Sequence, residues 1–389
     1  MRFTLTEEQA LIQASALDWL AGHYDFRQRQ AGVHGDGGSP QAWQSFAELG
    51  WLGLPLPDAF GGSGAGLFEA GLLMHAFGRH LVVEPYLACV LQAARLLALA
   101  GSAAHQDRWL PAVVQGAHRL ALAHAEPGDA VPWSPRRCIA QADGDGWRLD
   151  GAKQLVVAAE GAARWLVTAR EPGAHGRPVL LLVDPALDGI AVDAYDTTDG
   201  RRAADIRFNG VRLEADALVG EPGERTAQLL QQVLAEGVIA QCWEAAGAMQ
   251  AVLEQTAGYT QQRKQFGQAL SDFQVVQHRL AEMAVQCLEA QAACELATLR
   301  LDQDAGSGPQ VAAIAMSKVG RAARLVSQGA VQLHGAMGVC EELPVAATFR
   351  LLLAFTHGGA APAASALYLG TTSLASGCHQ HSLTLGAPA

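Results

Sequence analysis

The sequence predicts an α+β chain, mostly α, built as a helical unit, a β unit and a second helical unit in that order. Three textures along its 389 residues predict it. Apolar residues at helical spacing run from Thr6 to about Gln115, short β-type runs separated by turn residues fill Leu120 to Val219, and a longer helical period returns from Glu224 to about Leu353. A chain of this length exceeds the size at which one core keeps growing, so several packed units are expected. The expected divisions are 1–118, 119–221 and 222–370, followed by a tail over 371–389 that frays.

In the first unit Thr6 precedes Gln9 at capping-box spacing, and Ile12, Ala16, Trp19 and Leu20 fall on one helical face. The run LPLPDAFGGSGAG, residues 54 to 66, holds two prolines and four glycines and cannot extend a helix, so an ordered loop or gate is expected there. In the second unit the runs RCIAQAD, WRLDGAKQLVVAA, RWLVTAR, PVLLLVD and ADIRFNGVRL read as strands of a compact antiparallel sheet or barrel. Asp145-Gly146 and Asp150-Gly151 read as turn pairs. In the third unit Phe273, Val276, Leu280, Met283, Cys287, Ala290, Cys294, Ala297 and Leu301 alternate steps of three and four, which predicts a helix of roughly eight or nine turns. Helices over about 224–264 and 310–336 flank it, so an antiparallel bundle is expected.

Composition excludes several functions. A net charge of −11 argues against nucleic-acid binding, which needs a dense basic face. No charge-free apolar run is long enough for a membrane span. The opening MRFTLTEEQALIQ has no basic segment followed by an apolar one, so no secretory signal is read and a cytoplasmic location is expected. The seven cysteines are scattered and form no close pair, which argues against a disulfide framework or a zinc site.

The chemistry concentrates in RKQFGQALSDFQVVQHRLAEM, starting at Arg263, and QLHGAMG, starting at Gln332. Together with LTEEQALIQ, LGWLGLPLPDAFGGSG, AHAEPGD and DGAKQLVV, in that chain order, they resemble the acyl-CoA dehydrogenase family along nearly the whole sequence. The resemblance implies a C-terminal four-helix bundle, with FAD lying between the β domain of one subunit and the bundles. It also implies α,β-dehydrogenation of an acyl-CoA, electrons passed to an electron-transferring flavoprotein, and a tetramer made of two dimers. Motif residues of one subunit would contact the neighbour's dinucleotide. Carried over to this chain, Arg263 offers a forked cation to a pyrophosphate, Phe266 an aromatic face, and Gln274 an amide able to donate and accept. Gln332, Gly335 and Ala336 match the second cofactor segment, where lack of bulk lets backbone approach. His278 and His334, beside apolar residues at helical spacing, read as structural.

The chain also departs from the family. Ala125 stands where a threonine or serine hydroxyl would face the flavin, and Leu155-Val156-Val157 replaces an aromatic, apolar, hydroxyl triplet. Gly359 falls where the family's catalytic glutamate follows a matched arginine, here Arg350, and Ala361 and Ala363 replace polar residues beyond it. A second family solution puts the base on the first bundle helix, at Gly237-Val238 here, with Glu236 one residue early and so turned by about 100°. Glu244 lies about two turns on, an acid in an apolar stretch. The helix around it most resembles the small subunits of two-gene bacterial acyl-CoA dehydrogenases, the pimeloyl-CoA and steroid side-chain types. Three functions follow: a subunit completing a partner's flavin site, a self-sufficient homotetrameric dehydrogenase with Glu236 as displaced base, or a flavin-dependent monooxygenase or non-catalytic scaffold.

Overall fold

The computed structural model describes residues 4–33, 38–128, 133, 137–173, 175–358 and 361–375. Helix α1 (Glu7–His23) starts as its sequence requires: Gln9 N–H donates to Thr6 Oγ1 at 3.2 Å while Thr6 N–H donates to Gln9 Oε1 at 3.0 Å. Helices α2 (Phe26–Val33), α3 (Pro40–Glu48) and α4 (Leu67–His80) follow, then a π-helical stretch Leu87–Ala94 that runs straight into α5 (Arg95–Ala100), and α6 (Ala103–Val114). The loop over residues 54 to 66 is ordered by its own backbone: Gly64 N–H donates to the Leu56 carbonyl and Ala65 N–H to that of Leu54, both at 2.8 Å. Gly62 is obligatory there, since a Cβ would lie 2.0 Å from the Leu56 carbonyl oxygen.

The central unit is a seven-stranded sheet in the order β1 (Leu120–Ala123), β4 (Arg164–Arg170), β2 (Ile139–Asp143), β3 (Gly146–Val157), β7 (Arg202–Leu213), β6 (Ile190–Asp196), with β5 (Pro178–Val183) also paired to β4. Four pairings are antiparallel, as expected, but β1 and β2 both run parallel to β4. Two turn assignments change. The β2–β3 turn is Gly144-Asp145, one residue earlier than expected, with its positive φ on Gly144 at 64°. Asp150-Gly151 is not a turn at all: it sits inside β3 at a register shift against β7. There the strand crosses β2 so closely that a Cβ on Gly151 would fall 2.7 Å from Cys138 Cα.

The bundle consists of α7 (Glu224–Gln262), α8 (Gln274–Gln303), α9 (Gly308–His334) and α10 (Pro344–His357), joined by α11 (Pro362–Ala375). At 30 residues α8 makes just over eight turns, within the expected length. Helix α11 continues past residue 370 into the expected tail, whose remainder, 376–389, lies outside the described residues. No helix among the described residues is long and apolar enough to cross a membrane.

One apolar core joins the N-terminal helices to the bundle, and its seam is the crossing of α4 on α7. Small residues let the two backbones touch: a Cβ on Gly78 would lie 1.9 Å from the Glu244 carbonyl oxygen, and one on Gly247 would lie 2.0 Å from that of His75. Gly247 thus serves close helix packing, while Ala245, two residues earlier, faces a cleft described below.

Candidate functional site

Strand β3 ends in a bulge, with Lys153 opposite Ile206 and Val156 opposite Ala204. The extra residue leaves Leu155 at φ 52° and turns Leu155 and Val157 toward a cleft between sheet and bundle, while Val156 is buried in the sheet's own core. The cleft holds about 1030 Å³ of empty space, mouth included. Its far wall is α10, through Leu351, Ala354, Phe355 and the following Gly358, and its floor is α7, through Gln241, Glu244 and Ala245. Gly359, the residue at the expected position of the base, lies outside the described residues. Its matched Arg350 pairs with Glu341 at 2.7 Å.

One end of the cleft carries buried charge. Arg201, on the turn from β6 into β7, donates to Asp199 Oδ2 at 2.8 Å, to Glu244 Oε1, and to the Val82 carbonyl at 3.1 Å. Arg29, 2% exposed, reaches the same place from α2 and donates to the carbonyls of Asp199 at 2.9 Å and Leu81 at 3.2 Å. Burial pushes the Glu244 carboxyl above the usual range; Arg201 pulls the other way without restoring it, and Asp199 adds to the rise. Burial also opposes the charge on Arg201, but Glu244 and Asp199 outweigh it and keep the guanidinium protonated.

Glu236 lies elsewhere. One residue before the helical stripe that carries Gln241 and Glu244, it points into a second cavity beside Leu91 and Asp302, pairs with Arg95 at 3.3 Å, and accepts from Gln232 Nε2 at 2.8 Å. The rotation expected from its register is what the helix shows, and it separates Glu236 from Leu155, Val157 and Gly358. Glu244, the weaker candidate by sequence, is the acid that lines the cleft. Arg201 and Gln241, which line the cleft with Glu244, were not singled out from the sequence; polar residues three apart on an otherwise apolar stretch of α7 were the available signal for Gln241.

None of the six expected cofactor residues lines the cleft. Arg263 caps α7; Phe266 and Gly267, at φ 56° and 86°, form the two-residue tip of a hairpin between β8 (Lys264–Gln265) and β9 (Gln268–Ala269); Gln274 opens α8. Gln332 is on the last turn of α9, and Gly335 and Ala336 follow it. The structure brings both groups to one end of the bundle, where the Tyr259 ring at the end of α7 stacks on His334 at 4.3 Å. His334 is buried and its Nδ1 lies 2.9 Å from the Ala330 carbonyl, so it is structural, as expected.

All six residues are exposed, Phe266 to 92%. Among the described residues the side chains of Arg263, Gln274 and Gln332 make no hydrogen bond or ion pair within the chain. Gly335, at φ 60° and ψ −137°, has nothing within 4 Å of where a Cβ would be, so its surroundings are open on this chain's side. A non-glycine residue at positive φ, as Phe266 is, costs about 1–2 kcal/mol, and such strain gathers at functional sites.

A sheet between two helical units, a cleft where sheet meets bundle, and a cation, a ring and free amides gathered at one bundle end define a class, the acyl-CoA dehydrogenase type of flavoprotein fold. The family model described as acyl-CoA dehydrogenase, N-terminal domain, matches residues 6–117, and that for the C-terminal domain matches residues 227–359. The acyl-CoA dehydrogenase FadE28 of Mycobacterium tuberculosis is 33% identical over 309 residues, 78% of this chain and 84% of that protein. Among solved structures, a variant of the Tcur3481-Tcur3483 steroid ACAD has a TM-score of 0.86 at 29% identity, covering 97% of this chain and 100% of the other. The ChsE4-ChsE5 complex from Mycobacterium tuberculosis, at 24% identity and a TM-score of 0.87 over the full length of both chains, shares the fold. This chain belongs to the acyl-CoA dehydrogenase family, whose members are oxidoreductases that use FAD.

The residues present fit that cofactor unevenly. The exposed bundle end offers a forked cation, an aromatic face and unpaired amides, the donor set a dinucleotide needs. The chain's own cleft offers aliphatic chains at Leu155 and Val157. Ala125, which does not line it, brings no hydroxyl, and its carbonyl is taken by Gln154 N–H at 2.8 Å.

Proposed function

We propose that this chain is a subunit of an acyl-CoA dehydrogenase that presents Arg263, Phe266, Gln274, Gln332, Gly335 and Ala336 to a flavin held mainly by a related, catalytically complete subunit. The assembly, a tetramer, removes α and β hydrogens from an acyl-CoA thioester and passes electrons to an electron-transferring flavoprotein. When bound, FAD supplies the acceptor for the β hydrogen. The carrying observation is the division of this chain's residues: the six that fit a dinucleotide are all exposed at one bundle end, outside its own cleft. The cleft meanwhile lacks the aromatic and hydroxyl groups of the family pattern at Leu155 and Val157, and Ala125 carries no hydroxyl. A solved relative named for two components, the Tcur3481-Tcur3483 steroid ACAD, supports a two-component assembly of the small-subunit kind.

The test is the visible absorption spectrum. Purified alone, the chain should hold little FAD; co-purified with the related subunit, the complex should hold FAD that an acyl-CoA bleaches. Phe266→Ala, at a side chain 92% exposed, should lower the flavin retained by the complex without lowering the chain's own melting temperature. A chain that alone binds stoichiometric FAD and is bleached by acyl-CoA would overturn the proposal.

A further inference from the structure

Helix α8 is apolar on two opposite faces. One, carrying Met283, Ala290, Cys294, Ala297 and Leu301, is buried in the core of the bundle. At about 100° per residue the opposite side carries Ala281, Val285, Leu288, Ala292 and Leu296, in steps of three and four. All five are exposed, Leu288 to 72%. A helix at the surface of a lone domain is polar on its outer side, and one that is apolar all round is packed all round. Single exposed leucines are ordinary, but a stripe about 22 Å long, the rise from Ala281 to Leu296, marks a contact.

Position, area and charge say what covers it. Gln274 opens the same face two turns before Ala281, and it is one of the six residues read above as reaching a flavin in a related subunit. At the other end Leu296 borders a groove between α8 and α9, lined also by Ala293, Val311 and Ile314, which holds about 1110 Å³ of empty space, mouth included. A stable contact between chains covers about 800 Å² on each side. Six residues, two of them Gly335 and Ala336, fall well short of that, and the α8 face is apolar surface continuous with them. Between Ala281 and Leu296 the helix has three glutamates, Glu282, Glu289 and Glu295, and no lysine or arginine. Lys318 of α9 holds Glu289. A second copy of this chain packed α8 against α8 would therefore set carboxylate against carboxylate, which an unlike subunit avoids.

We propose that the outer face of α8 is the main seam with the related subunit. That subunit covers it with an apolar helix or ridge, bulky opposite Ala281 and Ala292 and basic along the margin that meets Glu282 and Glu295. The proposal rests on the reading of this chain as one of two unlike subunits. The bundle end then orients a flavin, and α8 holds the two chains together.

Co-purification and analytical ultracentrifugation of the complex test this. Leu288→Glu sets a charge in the middle of the seam and should weaken the association of the two unlike chains at least about tenfold, whereas Leu288→Met should keep it within about threefold. The melting temperature of the chain alone should not fall in either variant. Phe266→Ala should do the opposite of Leu288→Glu, lowering bound flavin while the two chains stay together. If Leu288→Glu leaves unlike chains paired and halves the mass of the complex, the stripe meets a second copy of this chain. If it lowers the melting temperature of the chain alone, the stripe is covered from within the chain, and if it changes neither, the stripe is open surface. Each of these three results would overturn the proposal. Absence of any complex with a related subunit would instead overturn the two-subunit reading itself.

Discussion

Lys153 shows how much one residue can hold. Its side chain is fully buried, yet its ammonium reaches Glu126 at 2.7 Å, the His124 carbonyl at 3.0 Å and Thr168 Oγ1 at 3.2 Å. Glu126 in turn accepts from the backbone N–H of Arg137 at 2.6 Å and Cys138 at 3.1 Å. The group ties the segment around Ala125 to β3 just ahead of its bulge. Removing one partner of a buried pair strands the other, so Lys153→Met should cost about 3–5 kcal/mol, read as a shift of the urea midpoint at unchanged slope. Burial would raise the Glu126 carboxyl, but Lys153 and the two backbone donors outweigh it and hold it below the usual range. The unfolded chain therefore binds the proton first as pH falls. This stabilisation is complete above the ordinary glutamate value and is lost as pH drops through the lower folded one, so the cost of Lys153→Met should shrink in acid. The sequence shows Lys153 inside a family-like run, but nothing in its spacing reveals a buried partner 27 residues away.

Among elements, the crossing of α4 on α7 controls the floor of the cleft, because the carbonyl that Gly78 touches belongs to Glu244. Gly78→Ala places a methyl where backbone already stands, so α4 must move. A loss of about 1–3 kcal/mol is expected, checked by calorimetry, with weakened ligand binding in the cleft as a second sign that Glu244 has shifted. Periodicity made α7, α8 and α9 legible because a helix repeats its signal every turn over many turns. The short edge strand β6 and the four-residue β1 gave no such repetition and were missed. Asp150-Gly151 misled for a physical reason: the backbone freedom that makes a turn pair also permits a bulge, and only pairing with β7 decides between them. The same limit applied on α7, where register told that Glu236 is turned from the stripe of Gly237 but could not tell what each face meets.

At the scale of the whole molecule, the bundle end that carries Arg263 and Gln332 is also where Val275, Met337 and Val339 lie 70%, 46% and 69% exposed. Apolar side chains around unpaired polar ones are what the proposed subunit contact requires, and the sequence, which points to the six residues only through resemblance, carries no signal for what they touch. The charged end of the cleft has a different reach. Through Arg29 and Arg201 it bonds the segment after α4, the turn into β7, and α7, one place in each of the three units. If any unit opened alone, this group of charges would lose partners while still largely buried, so partial unfolding is penalised from every side. The three units should therefore melt together, with a calorimetric enthalpy equal to the van't Hoff value, and Arg201→Met should split the single transition into two. A cluster that looks like part of a binding wall is thus also what makes three differently built units behave as one cooperative body.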